Sequence, residues 1–349
     1  MRRVDAVVVG AGAMGSAAAW WLARAGREVV LLERFEQGHS RGSSHGATRI
    51  FRLAYPDRRY VEMARRALPL WRQLEAETGT VLLETTGGVD HGDPAGVDAV
   101  AAALAAGGAP GERLSAAEAE ARWPGMRFEH DVLFQPDAGR CLADRTVRVL
   151  QDAVAALGGE VRFSEPALEI EPAGAAEDQA VRVRTAADTY HAPVCVVAAG
   201  AWIARLLPEV PLPPLTVTQE QVFHFPPRDP GAEWPSFIHH RDPYLYGLAS
   251  PGEGVKVAEH HAGAVVDPDR RDFATDPSGA QRVARYVEEW FPGLVRQAAS
   301  STTCLYTSTP DHDFHVRRHG PVVAVSACSG HGFKFTPLIG QTAATLAAG

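Results

Sequence analysis

The chain has 349 residues, enough for two substructures that each bury a core, and its 46% hydrophobic and 22% charged residues exclude wholesale disorder. A formal charge of -8 leaves no basic surface for nucleic acid or an anionic membrane, so the expected partner is a small molecule. Four scattered cysteines, Cys141, Cys195, Cys304 and Cys328, make neither a disulfide framework nor a paired zinc site, and a cytoplasmic protein is expected.

Met1-Arg2-Arg3 and the apolar and small residues after it imitate a secretory signal, but Asp5 and three ordered glycines argue for folded structure. No apolar run reaches about 18 residues, so no membrane span is expected. Residues 4–9 predict a strand, Gly10-Ala11-Gly12-Ala13-Met14-Gly15 a tight turn, and the alanine-rich stretch to Gly26 a helix. A second strand over 28–32 ends at Glu33, 18 residues after Gly15, which completes a βαβ dinucleotide fingerprint. Gly10 permits the turn, Gly12 admits a pyrophosphate, Gly15 lets helix and strand pack, and the helix start at Ala13 and Met14 faces the phosphates. Glu33 accepts from a ribose and disfavours a 2′-phosphate, with Arg34 beside it as a further candidate contact. The motif leaves FAD and NAD open, and an unliganded α/β turn is the plain alternative.

Segment 42–52 carries glycines, hydroxyls and arginines with little apolar pattern, which suits a loop wrapped around a ligand or a solvated surface loop. Its Ser44-His45-Gly46 and Thr48-Arg49-Ile50-x-Arg52, continuing to Ala54-Tyr55, resemble the flavin-dependent amine oxidases of the D-amino-acid oxidase superfamily, in the group of monomeric sarcosine oxidase, N-methyltryptophan oxidase and pipecolate oxidase. The resemblance implies a mixed α/β fold, a Rossmann-like FAD-binding domain with a second β-sheet substrate domain inserted. It also implies that Ser43, His45, Thr48 and Arg49 lie against FAD and that Arg52 holds a substrate carboxylate.

Helical spacing covers residues 60–78, with Leu68, Trp71 and Leu74 on the apolar face. A strand over 81–89, weakened at Gly87-Gly88, precedes an alanine-rich helix over 98–106 and a short helix opened by the Ser115-x-x-Glu118 capping box and ended by Pro124. A helix over 144–157 stops at Gly158-Gly159, and short strands to Asp188 return the chain to the first sheet. The buried strand 194–198 runs into Ala199-Gly200-Ala201-Trp202; the resemblance makes Ala199, Gly200 and Trp202 a second flavin-contacting turn. Four prolines within 208–214 mark a crossing into a substrate-covering sheet that begins with a strand over 215–225. The expected division is 1–80, 140–207 and 311–349 for the cofactor, and 81–139 and 208–310 for the substrate.

Tyr246-Gly247 and 256–260 predict two antiparallel strands joined by 250–254, and period-two alternation puts Lys256 and His260 on one face. Taken alone, Lys256 reads as a surface residue; the resemblance sets it above the flavin, where it helps oxygen accept electrons, with Tyr246 and His260 beside the substrate. Cys304, in Cys304-Leu305-Tyr306-Thr307, reads alone as a small core residue. The resemblance makes it the thiol covalently attached to FAD, with Tyr306 facing the substrate two residues on. Ser329-Gly330-His331-Gly332-Phe333-Lys334-Phe335 turns a strand over 321–326 into a helix. By the same resemblance Gly330, His331, Gly332 and Phe333 line the flavin, and Lys334 pairs with Arg52 on the carboxylate. Two fixed cations imply an anionic substrate.

His239-His240, His260-His261 and Asp311-His312-Asp313 lack a complete ligand set at motif spacing, so no metal is expected. The expectation is an FAD-dependent oxidase of a small secondary amino acid that releases an imine and hydrogen peroxide and acts as a monomer with oxygen as its second substrate. An oxidase of a cyclic or bulky amino acid is the rival within the fold, since Cys328 and segment 236–244 depart from the sarcosine oxidase pattern. An NAD-dependent dehydrogenase is the rival from another class. The sequence stops 15 residues after Lys334, where the resembling enzymes continue for a few tens more, which suggests a truncated cofactor domain.

Overall fold

Alternation along a few short strands decides the layering. The computed structural model describes residues 1–172 and 180–349. In it Ala6–Val9, Val29–Leu32, Val194–Val197 and Val322–Ser326 form the centre of a six-stranded sheet, edged by Glu160–Arg162 and His315–His319. All pairs are parallel except that of His315–His319. Val8, Leu31, Val196 and Val323 face a core shared with the helices Ala13–Arg24, Ala143–Ala156 and Thr336–Ala348. Their neighbours Val7, Val30, Cys195 and Ala324 face a second core, closed by a four-stranded sheet. Burial on both faces is why these strands read as unbroken apolar runs.

That second sheet corrects one expectation. Of the short strands between Gly159 and Ala192 only Glu160–Arg162 joins the first sheet; Glu169–Pro172, Val181–Arg184 and Thr189–Ala192 form a separate sheet, in which Thr189–Ala192 pairs with Arg2–Arg3. The physical reason lies in Val181–Arg184, which buries its valines and exposes its arginines. A strand with one wet face cannot sit inside a sheet covered on both.

The segment expected as one strand over 81–89 is two. Gly87, at φ +74°, turns the chain between Leu83–Thr85 and Gly88–Gly92. The first pairs in a three-stranded sheet with Gly139–Leu142 and, through it, Thr48–Phe51; the second enters a nine-stranded sheet. Between them and the next strand, the helix Pro94–Ala106 starts before its alanine run because Asp93 caps Gly96 N at 3.0 Å and Pro94 occupies the first turn. It packs through Val97, Val100 and Leu104 into the core of the six-stranded sheet. The Ser115–Glu118 capping box forms with both of its hydrogen bonds.

The nine-stranded sheet has two unlike faces. Phe223, Phe225, Phe237, Leu245, Val255 and Val257 pack under the helix Pro277–Trp290 with Val283, Val287 and Trp290. The opposite face is set by register: His224 opposite Lys256, Lys256 opposite Leu248, Tyr246 opposite Ile238, Ile238 opposite Asp90. Cys304 and Tyr306 stand on the same face of the long edge strand Ser300–Ser308. His239 and His240 therefore point apart: His239 lies under the helix, 3.0 Å from the Tyr286 hydroxyl, and His240 faces inward.

Candidate active site

Between the six-stranded sheet and the inward face of the nine-stranded sheet runs one cavity of about 1530 Å³. Every candidate residue named from the sequence lines it except Gly15, which lies behind Gly10. At its nucleotide end Gly10 has φ +100°, and a Cβ there would stand 2.5 Å from the Ala198 carbonyl oxygen. A Cβ on Gly15 would stand 1.8 Å from Gly10 O, a backbone atom that cannot yield. Gly15→Ala is thus expected to separate helix from turn and abolish flavin retention, measured as the flavin-to-protein absorbance ratio of the purified protein; normal retention would remove the close approach from the account.

Glu33, 7% exposed, accepts from Ala11 N at 2.8 Å and from Phe35 N at 3.1 Å, which braces the turn and leaves lone pairs for a ribose. Gly12 has no side chain to cap the helix, and Ser44 Oγ does it instead by accepting from Ala13 N at 3.0 Å. Met14 follows in the first turn and borders the cavity. Arg34 is engaged with Asp269 at 2.9 Å, and Trp202 Nε1 donates to the same carboxylate, also at 2.9 Å. Ala199 and Gly200 complete this wall.

In the middle of the cavity the guanidinium of Arg49 ties its loop shut. It donates to the carbonyls of Thr48 at 2.8 Å, Ser43 at 3.0 Å and His45 at 2.6 Å, while Ser43 Oγ donates to Leu305 O at 2.6 Å. His45 Nε2 is buried without a protein partner among the described residues, and burial with Arg49 nearby lowers its pKa to about 3. Lys256, 5% exposed, donates to Thr48 O at 2.9 Å; burial, then Arg49, brings its ammonium down to about 7. Burial raises the Cys304 thiol, and the charges of Arg49 and Lys256 oppose the shift.

At the far end Lys334, also 5% exposed, donates to the Tyr55 hydroxyl at 2.8 Å and to His331 O at 2.7 Å. Burial, then Arg52, holds its ammonium well below the ordinary lysine value. An arriving anion would favour its charged form. The Arg52 guanidinium lies 4.2 Å over the Tyr55 ring. Tyr306 OH and His260 Nδ1 are 3.3 Å apart, and the Tyr246 ring meets His260 edge-on at 5.9 Å. Burial raises both tyrosine hydroxyls and holds His260 well below the ordinary imidazole value. His331 lies 3.3 Å from Tyr55 OH and is lowered to about 3, by burial first and Lys334 second. Gly330, at φ +74°, leaves room for Tyr306; Gly332 packs on Ala327 O, and Phe333 lies 5.9 Å from the Arg49 guanidinium.

One sequence signal was missed. Lys256 and Lys334 are the only two lysines among the 34 Lys and Arg residues, and both are buried in this cavity. In a chain whose other cations are all arginine, a retained lysine marks a place where a compact charge with an adjustable pKa is needed. Among the described residues no group of three His, Cys, Asp or Glu side chains is positioned to hold a metal.

The cavity fits FAD: a glycine cradle at a helix start, an acid at the end of the second strand, and, farther along, the buried Nε2 of His45, without a partner among the described residues. The chain is 34% identical over 360 residues to peroxisomal sarcosine oxidase of Mus musculus, covering 97% of this chain and 90% of that one. It is 32% identical over 365 residues to monomeric sarcosine oxidase of Bacillus sp. (strain NS-129), covering 98% and 92%. Among solved structures, an open form of NikD, described as an unusual amino acid oxidase essential for nikkomycin biosynthesis, superposes with TM-score 0.89 at 28% identity, covering 99% and 94%. The FAD dependent oxidoreductase family DAO matches residues 5–346, which decides for FAD over NAD: the chain belongs to that family.

Proposed function

We propose that the protein is an oxidase of a small secondary amino acid of the sarcosine type, yielding an imine, then an aldehyde and an amine, with hydrogen peroxide. The observation that carries this reading is the convergence of Arg52, Tyr55 and Lys334 at the cavity end that also holds Tyr246, His260 and Tyr306. Arg52 and Lys334 receive the carboxylate, which turns the amine and its neighbouring carbon toward the cofactor. Tyr246, Tyr306 and the neutral His260 surround that end and exclude water. FAD held along the cavity would supply the two-electron acceptor. Lys256 is the positive charge that favours oxygen reduction.

Cys304 is read as the covalent anchor of the flavin, on the strength of its position in the cavity wall, where the charges of Arg49 and Lys256 act on its thiol. The flavin should then stay with acid-precipitated protein, whereas Cys304→Ala should release it into the supernatant; release from both proteins would end the covalent reading. The same proposal takes the protein as a cytoplasmic monomer, supported by its four free cysteines and by the name of the Bacillus relative. It keeps the two-body division drawn from the sequence, supported by the separate core under the helix Pro277–Trp290. A panel of N-methyl and cyclic amino acids scored by peroxide release tests the substrate. Turnover of sarcosine is the expected result, and turnover of cyclic acids alone would overturn it.

A further inference from the structure

Behind Arg52 lies a buried acid that the reading above leaves without a task. Asp90 sits in the middle of the strand Gly88–Gly92, on the inward face of the nine-stranded sheet, and is 1% exposed. Its Oδ1 is 2.8 Å from His240 Nε2 and 3.8 Å from Arg52 Nη1, and its Oδ2 accepts from Gln135 Nε2 at 2.5 Å. The other end of the Gln135 amide accepts from Leu53 N at 3.0 Å and Ala54 N at 2.7 Å. Arg52 Nη1 in turn donates to Ala54 O at 2.5 Å. The acid therefore grips the guanidinium through space and the peptide segment carrying it through Gln135. His240 reaches Asp90 from the cavity wall.

A buried acid beside a guanidinium persists only where both of its oxygens are satisfied, and here His240 meets Oδ1, the oxygen facing Arg52, and Gln135 meets Oδ2. The arrangement holds one edge of the Arg52 fork. The rest of the fork is left over Tyr55, whose hydroxyl receives Lys334. Bidentate recognition of a carboxylate demands a fork held to within about 0.5 Å, which a long side chain over a ring does not achieve unaided.

We propose that Asp90, braced by Gln135 and His240, is the positioning residue of the carboxylate site, fixing Arg52 so that it and Lys334 engage one carboxylate together. This rests on the carboxylate reading of Arg52 and Lys334. Charge alone makes the opposite forecast, since removing a negative group beside Arg52 should strengthen anion binding. The sign of the effect thus separates positioning from simple electrostatics.

The test uses the flavin-loaded protein and acetate, a carboxylate without an amine, with binding followed by the change in flavin absorbance. Asp90→Asn, which keeps the size of the side chain, should weaken acetate about tenfold and raise KM by a similar factor, with kcat within about twofold. Unchanged or tighter acetate binding would overturn the proposal, as would a fall in kcat at unchanged KM. Arg52→Ala is measured beside it. If that variant leaves acetate binding unchanged, the carboxylate reading itself fails; if it weakens acetate and Asp90→Asn does not, only the role of Asp90 fails. Should Asp90→Asn not accumulate as folded yellow protein, His240→Asn carries the same test: weaker acetate binding supports the proposal, and unchanged affinity overturns it.

Discussion

Lys256→Met is expected to slow reoxidation of the reduced enzyme by oxygen by about 10²- to 10³-fold, the scale of losing one preorganised charge aimed at a developing anion. Anaerobic reduction by substrate should change little, because the Lys256 ammonium bonds to Thr48 O on the loop side and not to the carboxylate end. The pH dependence has a defined sign. Burial brings this lysine down to about 7, so its charged form prevails on the acid side and is lost as pH rises through that value. Wild-type reoxidation should therefore fall across neutral pH, and in Lys256→Met that limb should vanish. Stopped-flow measurement of both half-reactions decides it, and equal slowing of the two would refute the role given to Lys256. With only two lysines in the chain, selectively labelled lysine side chains would give two resonances, each titrating separately.

The second large effect belongs to Arg52. Arg52→Ala should raise KM about 100-fold, since charge-assisted hydrogen bonds to a carboxylate are worth roughly 1.5–3 kcal/mol. A substrate analogue carrying a carboxamide should be bound poorly by both proteins and should lose little further affinity in the variant. An analogue penalised as heavily as the acid would mean that Arg52 supports the fold of the site and does not read the carboxylate. Lys334 adds a proton to this event. Burial and Arg52 hold it well below the ordinary lysine value, and an arriving carboxylate favours the ammonium. Carboxylate affinity should accordingly weaken as pH rises above the free-site value of Lys334, and in Lys334→Met that dependence should be absent.

The nucleotide half of the cavity was legible because its determinants are local. Gly10, Gly12 and Gly15 are needed within one turn, and Glu33 closes a unit of a single βαβ length, so spacing alone carries the argument. Strand alternation put Lys256 and His260 on one face, but alone it left Lys256 as a surface residue, since one strand does not say what covers it; its place above the flavin was reached by resemblance. Cys304, Arg52 and Lys334 were reached by resemblance, because no local pattern distinguishes them from an ordinary core cysteine or a surface cation. The two-lysine count was available and unused. Boundaries failed where a layer had to be known: Gly87 splits one expected strand between two sheets, and Val181–Arg184 leaves the first sheet because one of its faces is wet.

By itself the sequence determined the dinucleotide turn, the capped helices and the period-two faces, all properties of residues within a few positions of one another. Only the tertiary structure decided that Asp90 meets Arg52 and Gln135, that Tyr55 receives Lys334 across 279 positions, and that His240 and not His239 turns toward the cavity. Those contacts depend on the register between strands distant in sequence, where a shift of one residue exchanges the covered and inward faces. Register is fixed by the packing of whole layers, so the chemistry at the carboxylate end becomes visible only once those layers are assembled.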